Sequence, residues 1–536
     1  MRTLIAESCA LILLAGASFA ASPPADVATL NRIADVGFNH SEVVDIAAYL
    51  ADRIGGRLTN SPAMRKAERW TQDQFKNWGL KDVRAEGFDF GRGWWIESAY
   101  VRMTSPRPLE LRAIPIAWTP ATNEALRASV IVAPMISDKD FADWRGKLTG
   151  KIVLVTWPGA PKDDVDPPFQ RLSEADIAKL DKYQEPTFDP EARQKRIERY
   201  RFRTKLDDFL AEEHAVAWVQ MSRTDGRSLH GEGYGYRVGK TPKLPGVELA
   251  AEDYRRLARL AKTADVKLEI DSRVHFEDAD HSAYNILADI PGGDPKAGYV
   301  MAGAHLDSWV AGDGAADNGA GCAVVMEAAR ILAGIGLRPR RGIRFALWAG
   351  EEEGMLGSGA YVEKYLARRP ANEASLADLP PYFSKDTYPV QTLPGFSDMS
   401  AYFNIDNGSG KIRGIYTEGN FGVVPIFREW LSPFVSLGAA SVVAQPTEST
   451  DHVFLSRLGL PAFQFIQDPL DYETRVHHSD LDTFDHLRPE DLRQAAIVLA
   501  TVLLEAANSE KTLPRKVLPT QPQVTDPFHY PDPAKK

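Results

Sequence analysis

From residue 282 to 507 strand-like and helix-like stretches alternate, and this alternation limits the fold more than any other feature of the chain. Apolar runs at 282–292, 299–302, 343–349, 401–405 and 462–466 are separated by helical periodicities after Asp317, at about 358–368, around 424–430 and at 489–507. A strand that returns to its own sheet through a helix pairs parallel with its predecessor. The expected fold class is therefore α/β, a mostly parallel sheet sandwiched by helices. Ligands bind such a sheet beyond the carboxyl ends of its strands, so the polar residues just after each apolar run are where chemistry is to be sought.

The run 301–321, M-A-G-A-H-L-D-S-W-V-A-G-D-G-A-A-D-N-G-A-G, places His305, Asp307 and Asp317 between a strand and a helix. His305 and Asp307 are two apart and face the same way on an extended chain, so one can ligate a metal while the other orients it. Asp317 opens the helix, where exposed N–H groups favour an anion; a helix cap beside an incidental His is the plainer alternative. The run 343–349 leads into E-E-E-G, whose neighbouring acids point to opposite sides of the chain. Of Glu351 and Glu352, one can then bind metal while the other faces substrate as a proton shuttle. A solvated acidic turn is the competing account.

The layout recurs in Y-F-N-I-D-N-G, 402–408, which ends a strand on Asp406, although an acid before Asn-Gly is often only a turn residue. V-H-H-S-D-L-D-T, 476–483, follows the last strand-like run. His477 and His478 alternate in direction, so at most one of them ligates a given ion. Four strands thus each deliver His, Asp or Glu to one edge: His305, Asp317, Glu352, Asp406 and His478, with Glu351 alongside. Two like charges about 4 Å apart cost roughly 4 kcal/mol at an effective dielectric near 20, so crowded carboxylates call for a cation. Imidazole and carboxylate donors without thiolate suit zinc, with manganese or cobalt as lesser options. Asp317, in the middle of five candidates, suggests two zinc ions sharing a carboxylate. Such a pair polarises a carbonyl and lowers a water's pKa towards ~7, with Glu351 moving the proton to the leaving amine.

The rest of the chain frames that core. Residues 1–20 have an Arg, an apolar stretch and small residues before Ala21, the pattern of a secretory leader. No other run is long and apolar enough for a bilayer, so an exported protein, periplasmic or extracellular, without stable membrane insertion is expected. Residues 21–105 supply N-terminal helices and the first part of the catalytic domain, with Ser61-Pro62 starting a helix that Gly79 stops. Residues 106–281 read as an inserted β-rich domain with one highly charged helix, about 188–211, taken as a solvated face. The catalytic domain occupies 282–510, with 370–398 bordering the site, and 511–536 form a Pro-rich tail. The net charge of −10 argues against a nucleic-acid partner. Of the two cysteines, Cys9 lies in the leader and Cys322 reads as a small core residue.

H-L-D-S-W, G-A-A-D-N-G, E-E-E-G, N-I-D-N-G and H-H-S-D-L-D-T, in this order, resemble the co-catalytic di-zinc exopeptidases that include bacterial aminopeptidases, glutamate carboxypeptidase II and carboxypeptidase Q, the last branch most. L-T-G-K-I-V-L-V in the insert resembles the protease-associated domain of that family. The resemblance implies a zinc exopeptidase fold and His305, Asp317 and Asp406 on one zinc. It implies Asp317, Glu352 and His478 on the other, Glu351 as general base and Asp307 as the acid supporting His305. It implies short peptide substrates, cut from the carboxyl end or as dipeptides, with an aminopeptidase as the alternative, and is compatible with a homodimer. A non-catalytic receptor-like module and a single-zinc glutaminyl cyclase are the readings of other classes. A carboxypeptidase needs a donor such as Arg for the terminal carboxylate; Arg457 and Arg475 are near the right loops in sequence only.

Overall fold

Eight strands form the sheet that carries the site, in the order Lys81–Asp89, Ser282–Ile290, Gly342–Trp348, Tyr299–His305, Met399–Asn404, Ala462–Gln467, Ile412–Tyr416 and Ser441–Val443. The computed structural model describes residues 27–161, 167–182, 191–233, 242–371, 374–384 and 387–518; the leader at 1–20 and the tail beyond 518 lie outside the described residues. The strands from Gly342–Trp348 through Ala462–Gln467 are mutually parallel. Antiparallel pairing lies to either side, at Ser282–Ile290 and at Ile412–Tyr416. Four parallel strands therefore bring their carboxyl ends to one edge, and those are the strands that end in the His and acid motifs.

Alternation along the strands sorts their side chains to two faces. Val300, Ala302, Ile343, Phe345, Leu347, Ala401 and Phe403 share one core with the helices Val27–Asn39, Val43–Ala48, Ala320–Gly334 and Pro489–Asn508. Met301, Ala346, Trp348 and Tyr402 share the other, with Leu356–Tyr361 and Val453–Ser456. The helix Pro62–Asn77 begins as its sequence requires: Ser61 Oγ accepts from the Met64 amide at 3.1 Å, and Pro62 needs no donor there. Gly79 then ends the turn in the left-handed region, φ +82.

A second eight-stranded sheet runs Leu109–Leu111, Gly93–Ser105, Lys267–Glu277, Leu126–Val132, Ile152–Leu154, Ala217–Met221, Gly246–Leu249 and Ala113–Pro115, with its own apolar clusters. The chain enters this sheet with Gly93–Ser105 and leaves it with Lys267–Glu277, two antiparallel neighbours. Polar contacts clasp it to the first sheet. The fully buried carboxylate of Asp468 takes Arg171 and Arg413 at 3.0 Å each and the Leu172 amide at 2.9 Å. Asp480 accepts from the Leu229 amide at 2.9 Å and pairs with Arg112.

One buried cation fixes the loop between His305 and Asp317. The Arg57 guanidinium donates to the carbonyls of Leu306 (2.8 Å), Gly55 (3.0 Å), Asp313 (2.7 Å) and Gly314 (2.7 Å). Burial pulls its pKa below the ordinary value, opposed by nearby groups including Asp482 and Asp307, yet a guanidinium stays charged at neutral pH. Gly314 has φ +60, and a Cβ there would stand 2.8 Å from Arg57 Nη2, so the loop excludes a side chain at that point. Replacing Arg57 by Met strands several buried carbonyls, and each unsatisfied group costs about 1–3 kcal/mol. Arg57→Met is expected to lose at least about 3 kcal/mol of stability, read from the midpoint of chemical denaturation.

Candidate metal centre

His305 ends its strand with the imidazole turned into the sheet edge. Its Nδ1 lies 3.0 Å from the Asp307 backbone carbonyl, and donation there leaves Nε2 as the free lone pair. That nitrogen stands 3.3 Å from Asp317 Oδ1 and 3.3 Å from Asp406 Oδ1. The other oxygen of Asp317, Oδ2, lies 3.4 Å from His478 Nε2 and 3.8 Å from His477 Nε2. Glu352 Oε2 completes this side at 3.0 Å from His478 Nε2. Two groups of donors thus share one aspartate, each facing a different carboxylate oxygen.

Asp317 is not a helix cap. Its backbone, φ −117 and ψ 92, is outside the helical region, and the helix proper starts at Ala320. Its amide and that of Ala316 donate to Asp482, at 3.0 and 2.6 Å. Asp482, the second acid of H-H-S-D-L-D-T, was missed as a functional residue from sequence, although it sits in a motif that already had attention. The Asp307 carboxylate also has partners beyond His305. It spans the turn of the acidic run, accepting from the amides of Glu351 at 3.3 Å and Glu352 at 3.1 Å, and stands 3.8 Å from His305 Nδ1. The backbone carbonyl orients the imidazole while the side chain sets where both glutamates start. Glu353, which had no role in the sequence reading, accepts from Thr59 Oγ1 at 2.8 Å.

A further member comes from the second sheet's domain. Glu232 Oε1 meets His478 Nδ1 at 2.8 Å, so His478 presents Nε2 to the centre. No sequence signal marks Glu232: it lies 246 residues from its partner, in a loop without periodicity. His478 itself takes a left-handed backbone, φ 59, and its ring lies 3.8 Å, centroid to centroid, from that of His477. The Cys322 thiol, buried, donates to the His305 carbonyl and contributes nothing to the donor set.

The residues fit a divalent ion. Asp317 Oδ2 and Glu352 Oε1 are buried without a hydrogen-bond partner, which is costly for carboxylate oxygens unless a cation faces them. The atoms of His305, Asp317 and Asp406 lie within 4.8 Å of one another, as do those of Asp317, His477 and His478. Nitrogen and carboxylate oxygen without sulfur is a zinc-type set. Protonation records the same crowding. Burial alone would discharge His305, yet Asp406 and Asp317 hold its pKa well above the ordinary value. His478 is raised likewise by Glu352 and Glu232 against its burial. Burial raises Glu351 and Glu352, and pushes Asp482 up to about 8.

The centre opens into a cavity of about 690 Å³, lined by Glu351, Asp406, Trp309 and Tyr472 and, from the 370–398 excursion, by Tyr382 and Phe383. The charged helix, Ala192–Glu212, also borders it, through Arg196, Arg199 and Arg203. It is therefore not simply a solvated face; tertiary packing sets its basic side over the cavity, which charge pattern alone does not reveal. Arg457 pairs with Glu448 at 2.8 Å. Arg475 lines a neighbouring cavity of about 350 Å³.

A parallel-centred α/β sheet with His and acid donors gathered at its carboxyl edge around one shared aspartate belongs to the class of zinc-peptidase folds. Residues 285–503 match the family model of peptidase family M28. Carboxypeptidase Q of Rattus norvegicus is 28% identical over 277 residues, 51% of this chain and 52% of that protein; the chain thus spans about half the length of this curated relative. Among solved structures, a peptidase M28 precursor from Shewanella amazonensis superposes with a TM-score of 0.64 at 22% identity, covering 92% of this chain and 99% of that one. BSAP, a zinc aminopeptidase from Bacillus subtilis, gives 0.55 at 18% identity over 88% and 98%. The stretch that builds the centre is thus similar to peptidase family M28, and the chain resembles carboxypeptidase Q over about half its length, as its motifs suggested.

Titration gives a direct test of the metal fit. Glu351, Glu352 and Asp482 have raised pKa values when folded, as do His305 and His478. Between about pH 5 and 8 the metal-free folded state therefore binds more protons than the unfolded chain, and its stability falls as pH rises. Asp317, held well below the ordinary range, is ionised in both states across that window. Zinc displaces the protons from its ligands. Chelated protein is expected to lose Tm from about pH 5 to 8, and added zinc to raise Tm more at the upper end; differential scanning fluorimetry reads both.

Proposed function

We propose that this chain is an exported zinc-dependent exopeptidase acting on short peptides or dipeptides, of carboxypeptidase or dipeptidase type. The observation that carries the proposal is the shared carboxylate, Asp317, with a His and an acid on each side and Glu351 facing the same cavity. His305, Asp317 and Asp406 would hold one zinc ion and Asp317, Glu352 and His478 a second. When bound, such ions supply Lewis acidity towards a peptide carbonyl and acidify water.

The chain's own residues do the rest. Glu351, raised in pKa by burial, is suited to accept a proton at its carboxylate and return it to the departing amine. Asp307 sets the backbone from which Glu351 and Glu352 project, and Glu232 holds the His478 ring. The names carboxypeptidase Q and zinc aminopeptidase among the similar proteins support an exopeptidase and leave both chain ends as substrates. Export rests on the leader-like residues 1–20, and no helix among the described residues is long and apolar enough to cross a membrane.

Metal analysis and one variant test the reading. The purified protein is expected to carry about two zinc ions per chain, and Glu351→Gln to keep them while losing hydrolysis of dipeptides by about 10²–10⁴-fold. One zinc per chain would favour the cyclase class. Full metal with no hydrolysis of any free dipeptide, N-acetyl dipeptide or dipeptide amide would favour a receptor-like module.

A further inference from the structure

We propose that the arginine face of the helix Ala192–Glu212 receives a carboxylate of the substrate, with Arg199 as the group that contacts it. The inference deepens the exopeptidase reading and rests on it. Arg196, Arg199 and Arg203 recur at spacings of three and four, so they share one side of the helix. The other side buries Ile197, Leu206, Phe209 and Leu210. All three arginines border the cavity that also exposes His305, Asp317 and Glu351.

Two of the three are committed within the protein. Arg196 Nη1 donates to the Tyr382 hydroxyl at 2.8 Å, and Arg203 Nη1 to the Gly233 carbonyl at 3.0 Å. Arg199 has no hydrogen-bond or ion-pair partner among the described residues, although it lines the cavity. The helix does not depend on Arg199 for its position: Arg201 pairs with Asp378 at 2.7 Å, and Tyr200 meets Phe383 edge-on with centroids 5.8 Å apart. A guanidinium is thus pre-placed and unspent.

The remaining charge of the cavity gives that guanidinium its use. Glu351, Glu352, Glu353, Asp406 and Glu473 line the other walls. They attract metal or an amine and repel an anionic substrate end, so among the described lining residues the arginine side is the one that favours a carboxylate. The planar fork of Arg matches a carboxylate through two parallel hydrogen bonds, which Lys cannot reproduce. The carboxylate can belong to a free carboxyl terminus or to an Asp or Glu side chain, and the structure assigns the terminus first because every free peptide has one.

The test compares Ala-Ala, Ala-Ala-NH₂ and Ala-Glu-NH₂ as substrates for the zinc-loaded full chain, its Arg199→Gln variant and its Arg199→Lys variant. The ratio of kcat/KM for the free acid over the amide is expected to fall about tenfold or more in Arg199→Gln, the loss lying in KM rather than kcat, and to recover only in part in Arg199→Lys. A loss on Ala-Glu-NH₂ of the same size would assign the site to side-chain carboxylates. A ratio that does not change in Arg199→Gln, whether the two rates fall together or not at all, overturns the proposal. Calorimetric titration of Ala-Ala and its amide onto the Glu351→Gln protein, with and without Arg199→Gln, separates the two levels of inference. Arg199-dependent binding, with a zinc-loaded chain retaining Glu351 that hydrolyses none of the three substrates, keeps the carboxylate site and removes the exopeptidase reading. Hydrolysis indifferent to Arg199 does the reverse.

Discussion

The structure turns on a conflict of charge at one point. Asp317 is buried beside Glu352 and Asp406, and its Oδ2 has no hydrogen-bond partner, with only the imidazoles of His478 and His477 near it at 3.4 and 3.8 Å. Repulsion among carboxylates at such distances is several kcal/mol in a protein interior, so the arrangement is tolerable only with imidazolium or metal between them. Much of the surrounding architecture holds this conflict in place. Arg57 ties the loop before Asp317 to the N-terminal segment, Asp482 takes the Asp317 and Ala316 amides, and Asp307 takes those of Glu351 and Glu352. These anchors are backbone hydrogen bonds to buried charged side chains, which position a site more firmly than packing alone.

The sheet explains why the donors meet. Four parallel strands must finish at the same edge, and His305, Glu352 and Asp406 stand at or just beyond the ends His305, Trp348 and Asn404 of three of them, so they fall within one centre. This much was legible in the sequence, because strand-helix alternation and a polar residue after each apolar run are local signals. The start of the helix at Pro62 was legible for the same reason, through Ser61. What the sequence concealed depends on long-range packing. Glu232 and Asp482 act through a His ring and through backbone amides, and no local pattern distinguishes them from ordinary loop acids. Asp307 was visible, but its contact with the Glu351–Glu352 turn arises only when two parallel strands lie side by side. The basic face of the helix Ala192–Glu212 read as solvated because charge periodicity does not say what lies opposite it.

The second sheet's domain is part of the site rather than an appendage. It supplies Glu232 behind His478, roofs the cavity with a helix that rests on the 370–398 excursion, and is clasped below by Asp468 and Asp480. The strand ends supply the candidate metal donors, and this domain supplies the arginine-bearing wall of the cavity beside them.

The claim on which all of this depends is that a single aspartate serves both halves of the centre. Zinc content of Asp317→Asn, measured by inductively coupled plasma mass spectrometry beside a folded-state check by circular dichroism, tests it most directly. A shared ligand predicts that the folded variant loses both metals together, from about two per chain to well below one. A folded variant that keeps one full equivalent while losing the other would show two independent sites and contradict the account.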